Sequence, residues 1–253
     1  MNFKYFIQLS YKGTNYHGWQ IQPDNISVQL VLNKAFSTIL NTEIELVGAG
    51  RTDTGVHASY YIAHFEHSEK IADIDNFIFR LNRFLPKDIA IYSIKEVKPN
   101  AHARFDAISR TYQYHISKRK DPFNDDFALE YSGELDIYKM NKMADILCQH
   151  SDFKSFSKLH SDNKTDICKV FLAKWEKTNN QLIFTIKADR FLRNMVRSIV
   201  GTLLEVGKGH INEQEFESII LAKDRCAAGQ SVSAKGLFLT YIEYPEDVYA
   251  VII

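Results

Sequence analysis

The sequence has no long apolar run and few cysteines. Of its 253 residues 45% are hydrophobic, yet nowhere do about 18 apolar residues follow one another, as a membrane-spanning helix requires. The first residues, MNFKYFIQLSYKG, also lack the uninterrupted apolar core of a secretion signal. The three cysteines are far apart and form no C-x-x-C pair, which argues against a disulfide framework or a thiolate zinc site. These absences predict a protein of the reducing cytoplasm that is neither secreted nor membrane-spanning.

Charge of one sign is not in excess either. Lys and Arg total 31, and Asp and Glu also total 31, so net charge alone predicts neither a nucleic-acid partner nor a membrane surface. A binding surface would require the charges to segregate by face. The length exceeds the usual size of one domain, and two domains of about 100 to 130 residues are favoured over one large domain.

Hydrophobic periodicity predicts the elements of the first half. Apolar and polar residues alternate from Phe3 to Tyr11, which indicates a half-buried strand. Ser27 is a candidate N-cap for an amphipathic helix, and Pro86 ends a second one. Three further strands are predicted at residues 44–47, 60–65 and 89–97. The predicted order is β-α-β-β-α-β.

The second half repeats this order without repeating the sequence. The predicted elements are a strand around Tyr112, a helix ending near Leu147, two strands separated by KTNN, a helix from about Phe191 to Val206 with a helical patch after it, and a last strand starting at Leu237. Two copies of this pattern predict an α+β fold of two ferredoxin-like halves, with antiparallel sheets side by side and an active-site cleft between them. We expect an N-terminal domain of residues 1–103 and a C-terminal domain of residues 104–253.

The stretch GAGRTDTGVHA, residues 48–58, holds three glycines around one Arg and one Asp. It is not a dinucleotide fingerprint, because Asp53 occupies the third glycine position and a strand-like run follows. The nearby histidines, His57 and His64, would point to opposite faces of a strand, so we predict no metal site. Two interpretations remain open from the residues alone: a turn with a surface ion pair between Arg51 and Asp53, or a functional loop in which glycines permit close approach of a ligand.

This stretch resembles the signature of the tRNA pseudouridine synthase A family. Other segments of the chain are similar to that family's pattern in the same order and cover nearly its whole length. They are YKGTNYHGWQIQ, AHARFDAISRTYQYHI, SDFKSFSK, FLRNMVRSIVGTLLEVG and AKGLFLTYIEYP.

The resemblance implies that the protein isomerises uridine to pseudouridine in tRNA without a metal or organic cofactor. By matching position, Asp53 would be the catalytic aspartate, acting either by covalent addition to the nucleotide or by removing a proton from ribose C2′. Both roles need an ionised carboxylate. Arg197 would lie against Asp53 and lower its pKa, and Tyr112 would stack on the uracil. Leu237 would form an apolar wall of the pocket.

The resemblance also implies an RNA surface and a homodimer. The family's substrate is the 3′ side of the anticodon stem-loop, where several adjacent uridines are accepted, so recognition by shape and backbone charge is expected. Arg51 would hold the RNA backbone where the target nucleotide leaves the stack. Helical periodicity puts Arg190 and Arg193 on one face with Arg197, where they would contact phosphates. Further expected contacts are Arg104, Arg110, Lys164 and the run SKRK from Ser117.

The sequence departs from the family pattern at two places. Thr54 stands where many relatives have Ala, and residues 230–233 replace a proline-containing approach to the last strand.

Two rival functions are also considered. One rival is a catalytically silent RNA-binding module that has kept the fold. The other is a glycosidase-like hydrolase using Asp53, although that chemistry generally needs two carboxylates flanking the bond.

Overall fold

The computed structural model describes residues 2–159 and 164–249, and in these residues the fold is mixed α/β. The strands are β1 (Phe3–Tyr11), β2 (Val47–Gly48), β3 (His57–His67), β4 (Ile89–Val97), β5 (Ser109–Ser117), β6 (Leu129–Glu130), β7 (Val170–Lys177), β8 (Gln181–Ala188) and β9 (Leu237–Glu243). The α-helices are α1 (Val28–Leu40), α2 (Ile74–Phe84), α3 (Ile137–Leu147), α4 (Met195–Gly207) and α5 (Glu213–Ala222).

The chain divides into two compact units. The first consists of Met1–Ile108 and Leu239–Ile253, and the second of Ser109–Phe238. The two domains expected from the sequence remain a prediction, because compactness alone does not show that a part folds independently.

The first unit is a mostly antiparallel sheet with two helices on one face. Its strand order is β4-β1-β3, with β2 paired to β3 and the unit's part of β9 next to β3. Tyr5 and Phe65, opposite each other on β1 and β3, stack with ring centres 5.3 Å apart. Phe36 of α1 meets the Phe65 ring edge-on at 5.0 Å and also contacts Phe77 of α2. This aromatic layer is the core between sheet and helices.

The helix boundaries of the first unit agree with the sequence signals. The Ser27 side chain accepts the backbone N–H of Leu30 at the start of α1, and α2 ends at Phe84, two residues before Pro86. The predicted strand at residues 44–47 is shorter than expected, since only Val47–Gly48 pairs with β3.

The second unit has the strand order β5-β8-β7, all antiparallel, and the short β6, which the sequence did not predict, pairs parallel with β5. Trp175 of β7 packs on Phe184 of β8 with ring centres 4.9 Å apart. Asn141 of α3 exchanges two hydrogen bonds with the Trp175 backbone, at 2.7 and 3.1 Å. Helix and sheet are thereby joined by polar as well as apolar contacts.

The start of α4 differs from the prediction. The helix begins at Met195, and Asn194 before it has φ +66°, a left-handed conformation outside the helix. Arg190 and Arg193 therefore precede α4 and do not share a helical face with Arg197. The cause is local: the Asp189 carboxylate accepts the backbone N–H of Arg190 at 2.7 Å, a side-chain bond that favours a turn over a helix.

Candidate active site

The signature loop, residues 48–58, is packed against the segment 11–19, so the first two sequence motifs are neighbours in space. Trp19 donates its backbone N–H to the Thr52 carbonyl at 3.4 Å. The Tyr11 and Thr52 hydroxyls are hydrogen-bonded at 2.9 Å in a buried position. The loop is therefore fixed from within the fold and is not a freely moving surface turn.

Glycine is required at Gly48 because aromatic side chains lie directly against its backbone. A Cβ atom there would lie 2.2 Å from the Tyr61 hydroxyl and 2.5 Å from the Trp19 ring. These two rings stack with centres 4.2 Å apart. The Tyr61 hydroxyl also donates to the Gly50 carbonyl at 2.5 Å. The aromatic pair thus holds residues 48–50 of the loop in place.

Asp53 lies at the turn of this loop and is half-buried, whereas Arg51 is exposed. The Asp53 carbonyl accepts the backbone N–H of Val56 at 3.1 Å, which closes the turn. Gly55 has φ +79°, and its N–H donates to the Tyr16 carbonyl at 3.3 Å. The carboxylate is therefore presented from a closed and anchored backbone, and a fixed geometry of this kind suits a side chain that must be positioned for chemistry.

The histidines of this region are buried acceptors of backbone hydrogen bonds. His57 Nδ1 accepts the N–H of Gly13 at 3.0 Å, and His64 Nδ1 accepts the N–H of Ala103 at 3.1 Å. Burial lowers the pKa of His64 to about 4. Both side chains hold neighbouring segments in place.

Tyr112 and Tyr114 point to the same face of β5 in the second unit. Tyr112 is half-buried, and its ring meets Phe191 edge-on with centres 5.1 Å apart. Tyr114 is fully buried and donates its hydroxyl to the Ser233 carbonyl at 2.9 Å. Burial raises the pKa of Tyr114, and the charge of Arg197 opposes that rise. Of the two tyrosines, Tyr112 is the one left partly accessible to a ligand.

Arg197 lies in the first turn of α4 and is held by the chain segment that precedes β9. Its Nε donates to the Val232 carbonyl at 2.8 Å, and the Val232 N–H donates to the Arg197 carbonyl at 3.2 Å. One residue earlier, the Ser231 hydroxyl accepts from Asn194 at 2.6 Å and from Arg225 at 2.9 Å. The Nε bond fixes the base of the guanidinium group, and the other bonds hold the segment against the start of α4.

The same segment, residues 225–233, lies directly against α4, and Gly201 of that helix leaves room for it. A Cβ on Gly201 would lie 1.8 Å from the Gln230 carbonyl oxygen. Gly229 donates its N–H to the Thr202 hydroxyl at 2.9 Å. Residues 230–233 of this segment depart from the family pattern, and nothing in the sequence predicts that the segment supports Arg197.

Leu237 is 5% exposed and opens β9 directly after a tight turn. Gly236 before it lies against the second unit's β5, where a Cβ would be 2.7 Å from the His115 carbonyl and 3.0 Å from the Tyr114 ring. The position of Leu237 is thus fixed by the same strand that carries Tyr112.

Five of the basic residues expected to contact RNA differ in their exposure. Three lie on the surface: Arg104, Lys164 and Arg193. Arg110 and Arg190 are half-buried. The Arg110 guanidinium donates to the Asp189 carbonyl at 2.8 Å, so part of its hydrogen-bonding capacity serves the fold.

None of the helices in residues 2–159 and 164–249 combines the length and the apolar character needed to cross a membrane.

The signature loop contains a single carboxylate, which does not match the two flanking carboxylates that glycoside hydrolysis generally uses.

Comparison with known proteins defines the class. A family model described as tRNA pseudouridine synthase matches residues 8–106 and 144–245, and the chain belongs to this family. The matched ranges include the signature loop and α4.

Within that family the chain is similar to proteins named tRNA pseudouridine synthase A. It is 52% identical to the protein from Bacteroides thetaiotaomicron over 98% of this chain and 93% of that relative. It is also 52% identical to the one from Bacteroides fragilis, over 97% and 98%. A more distant relative from Francisella tularensis subsp. holarctica is 38% identical over 96% and 94%.

Proposed function

We propose that this chain converts uridine to pseudouridine on the 3′ side of the anticodon stem-loop of tRNA. The reaction breaks the bond between N1 of uracil and C1′ of ribose, joins C5 to C1′, and releases the C5 proton, while N1 takes up a proton. The observation that carries the proposal is the anchored signature loop, which presents a half-buried Asp53 in a chain that belongs to the tRNA pseudouridine synthase family.

Asp53 is proposed to be the catalytic aspartate, and its carboxylate must be ionised to act as nucleophile or base. Arg197 is proposed to favour the ionised form, since a nearby cation lowers the pKa of a carboxylate. The support for this role is the hydrogen bond from Arg197 Nε to the Val232 carbonyl, which orients the guanidinium group. Tyr112, as the accessible tyrosine of β5, is proposed to stack on the uracil, and Leu237 to pack beside it.

The RNA contacts are proposed on the basis of charge. Arg51 is exposed two residues before Asp53, a place suited to holding the backbone of an extruded nucleotide. The remaining contacts proposed are with phosphates, which set position more than sequence. They are Arg104, Arg110, Lys164, Arg190 and Arg193.

The finer architecture belongs to the same proposal. The order β4-β1-β3 with β2 on β3 supports a ferredoxin-like first half, and β5-β8-β7 supports a related second half. We also propose two domains, 1–103 and 104–253, a homodimer and a cytoplasmic location. Family membership supports the homodimer, and size-exclusion chromatography with light scattering tests it.

The decisive experiment uses tRNA transcribed with tritium at uridine C5 and scores tritium released to water. Wild type should release tritium, and Asp53→Asn should release none while keeping nearly the wild-type affinity for tRNA, because the substitution changes charge but not shape. Asp75→Asn, at an exposed position in α2, is the matched control and should behave as wild type.

Three outcomes would contradict the proposal in different ways. Normal release by Asp53→Asn would remove Asp53 from the chemistry. Binding of tRNA by wild type without any release would favour a silent RNA-binding module. Free uracil among the products would indicate a hydrolase.

A further inference from the structure

The loop that follows β4 presents an aromatic ring to solvent. Phe105 is 72% exposed. The His102 ring lies 4.3 Å from it, centre to centre, at a tilt of 36°. The guanidinium carbon of Arg104 lies 5.6 Å from the centre of the same ring. An exposed phenyl ring, an imidazole and a cation therefore form one small surface cluster.

The backbone beneath this cluster is held by several hydrogen bonds. Ala103 is fully buried; its N–H donates to His64 Nδ1 at 3.1 Å, and its carbonyl accepts from the Tyr244 hydroxyl. The next two backbone N–H groups donate to His102 Nδ1, at 3.1 and 3.4 Å. The backbone N–H of His102 donates to the Asp106 carboxylate at 2.8 Å. The exposed ring is thus carried on a fixed support.

Such an arrangement has the chemistry of a nucleobase platform. Single exposed apolar residues are ordinary, but proteins that bind single-stranded nucleic acid place aromatic side chains beside basic groups, so that a base stacks while a phosphate is neutralised. Unpaired bases in RNA loops are the usual targets. A base can stack on the exposed surface of Phe105, and the phosphate of the same nucleotide carries the charge opposite to that of Arg104.

We propose that Phe105 and Arg104 form a binding site for one unpaired nucleotide of the RNA substrate, with the ring stacking on the base and the guanidinium contacting the adjacent phosphate. The proposal rests on the proposed function, since it takes the substrate to be tRNA. It adds a base contact at Phe105 to a loop from which only a charge contact at Arg104 was expected.

Binding of tRNA by variants of Phe105 tests the stacking. Loss of one stacked base generally costs about 1–3 kcal/mol, so Phe105→Ala should weaken tRNA binding roughly 5- to 150-fold. Phe105→Leu keeps an apolar side chain but no π-face and should also bind weakly, whereas Phe105→Tyr should bind close to wild type. Phe79→Ala, which removes a phenyl ring that is 64% exposed on α2, is the matched control and should not change affinity.

The salt dependence of binding separates the two contacts. Arg104→Ala should reduce the slope of log K against log salt by about 0.7 to 0.9, because one phosphate contact is lost. Phe105→Ala should leave the slope unchanged, since a neutral ring releases no counterion. A reduced slope for Phe105→Ala, or an unchanged slope for Arg104→Ala, would overturn the division of roles.

The outcomes separate this inference from the proposed function. If wild type releases tritium from uridine C5 and all Phe105 variants bind tRNA equally well, the nucleotide site is refuted and the proposed function stands. If Phe105→Leu binds like wild type while Phe105→Ala does not, the contact is apolar and the base-stacking claim is overturned. If wild type neither binds tRNA nor releases tritium, both conclusions fall together. Melting temperatures of the variants should match wild type because the ring is exposed.

Discussion

Lowering the pH from 7.5 to 5 should destabilise the first unit through His64. This side chain is 6% exposed, and its Nδ1 accepts the Ala103 N–H. Burial lowers the His64 pKa from 6.5 to about 4, and the neighbouring His102 adds to the effect. Lys4 also lowers the pKa, while the carboxylates of Glu66 and Asp106 oppose the shift. His64 is therefore neutral in the folded protein at pH 5.

The sign and size of the effect follow from proton uptake. Between pH 6.5 and pH 4 the unfolded chain binds a proton at His64 that the folded protein does not bind, so protons favour the unfolded state. The stabilisation is fully present above pH 6.5 and is lost as the pH falls towards 4. For pKa values of 6.5 and about 4, the loss from pH 7.5 to pH 5 is about 2 kcal/mol.

The assay is urea unfolding at the two pH values, followed by tryptophan fluorescence. The chain has two tryptophans, Trp19 in the first unit and Trp175 in the second. A Trp175→Phe background makes Trp19 the reporter of the first unit. The substitution breaks no side-chain hydrogen bond, because the Trp175 indole N–H has no hydrogen-bond partner among the residues that the structure describes.

The comparison variant is His64→Asn, whose Oδ1 takes the place of Nδ1 as acceptor and does not titrate in this range. The variant starts from a lower stability because its side chain is smaller, but its loss between pH 7.5 and pH 5 should be about 2 kcal/mol less than that of the His64 protein. Equal losses in the two proteins would refute the assignment of this acid sensitivity to His64.

Three further predictions concern stability at neutral pH. Gly48→Ala should destabilise the first unit by about 1–3 kcal/mol, because its Cβ would overlap the Trp19 ring. Gly50→Ala, two residues away in open space, should be neutral or stabilising by up to about 1 kcal/mol. The urea midpoints of the two glycine variants test both predictions. Equal midpoints would contradict the packing argument. Tyr114→Phe removes the hydrogen bond to the Ser233 carbonyl and should lower the free energy of unfolding by about 1–3 kcal/mol. Urea unfolding followed by Trp175 fluorescence measures this change. An unchanged midpoint would show that the bond contributes little.

The sequence predicted the elements that carry local signals. The alternation over Phe3–Tyr11, the Ser27 cap and the stop at Pro86 depend on residues near one another in the chain, and the structure confirms them. The start of α4 could not be predicted in this way. Apolar spacing continues without interruption from Leu192 into the helix, while Asn194 adopts a left-handed conformation that periodicity does not reveal.

The candidate site shows the same difference between what the sequence predicts and what only the structure reveals. The resemblance predicts roles for Asp53 and Arg197 by matching position, but it does not predict the groups that hold them. The Trp19 and Tyr61 pair beside the signature loop, and Ser231 beside α4, depend on contacts between segments distant in sequence. A single sequence carries no direct record of such contacts, although the glycines that permit them are visible in it.

The division of the chain into units has a consequence for synthesis on the ribosome. The first unit receives its last strand, the part of β9 that begins at Leu239, only after the 130 residues Ser109–Phe238 have been made. At about 5–20 residues per second, the edge of β3 that β9 covers waits roughly 6 to 26 seconds for its partner. An uncovered strand edge invites pairing with other chains. Nascent chains stalled before residue 239 should therefore depend on chaperones more strongly than the finished protein.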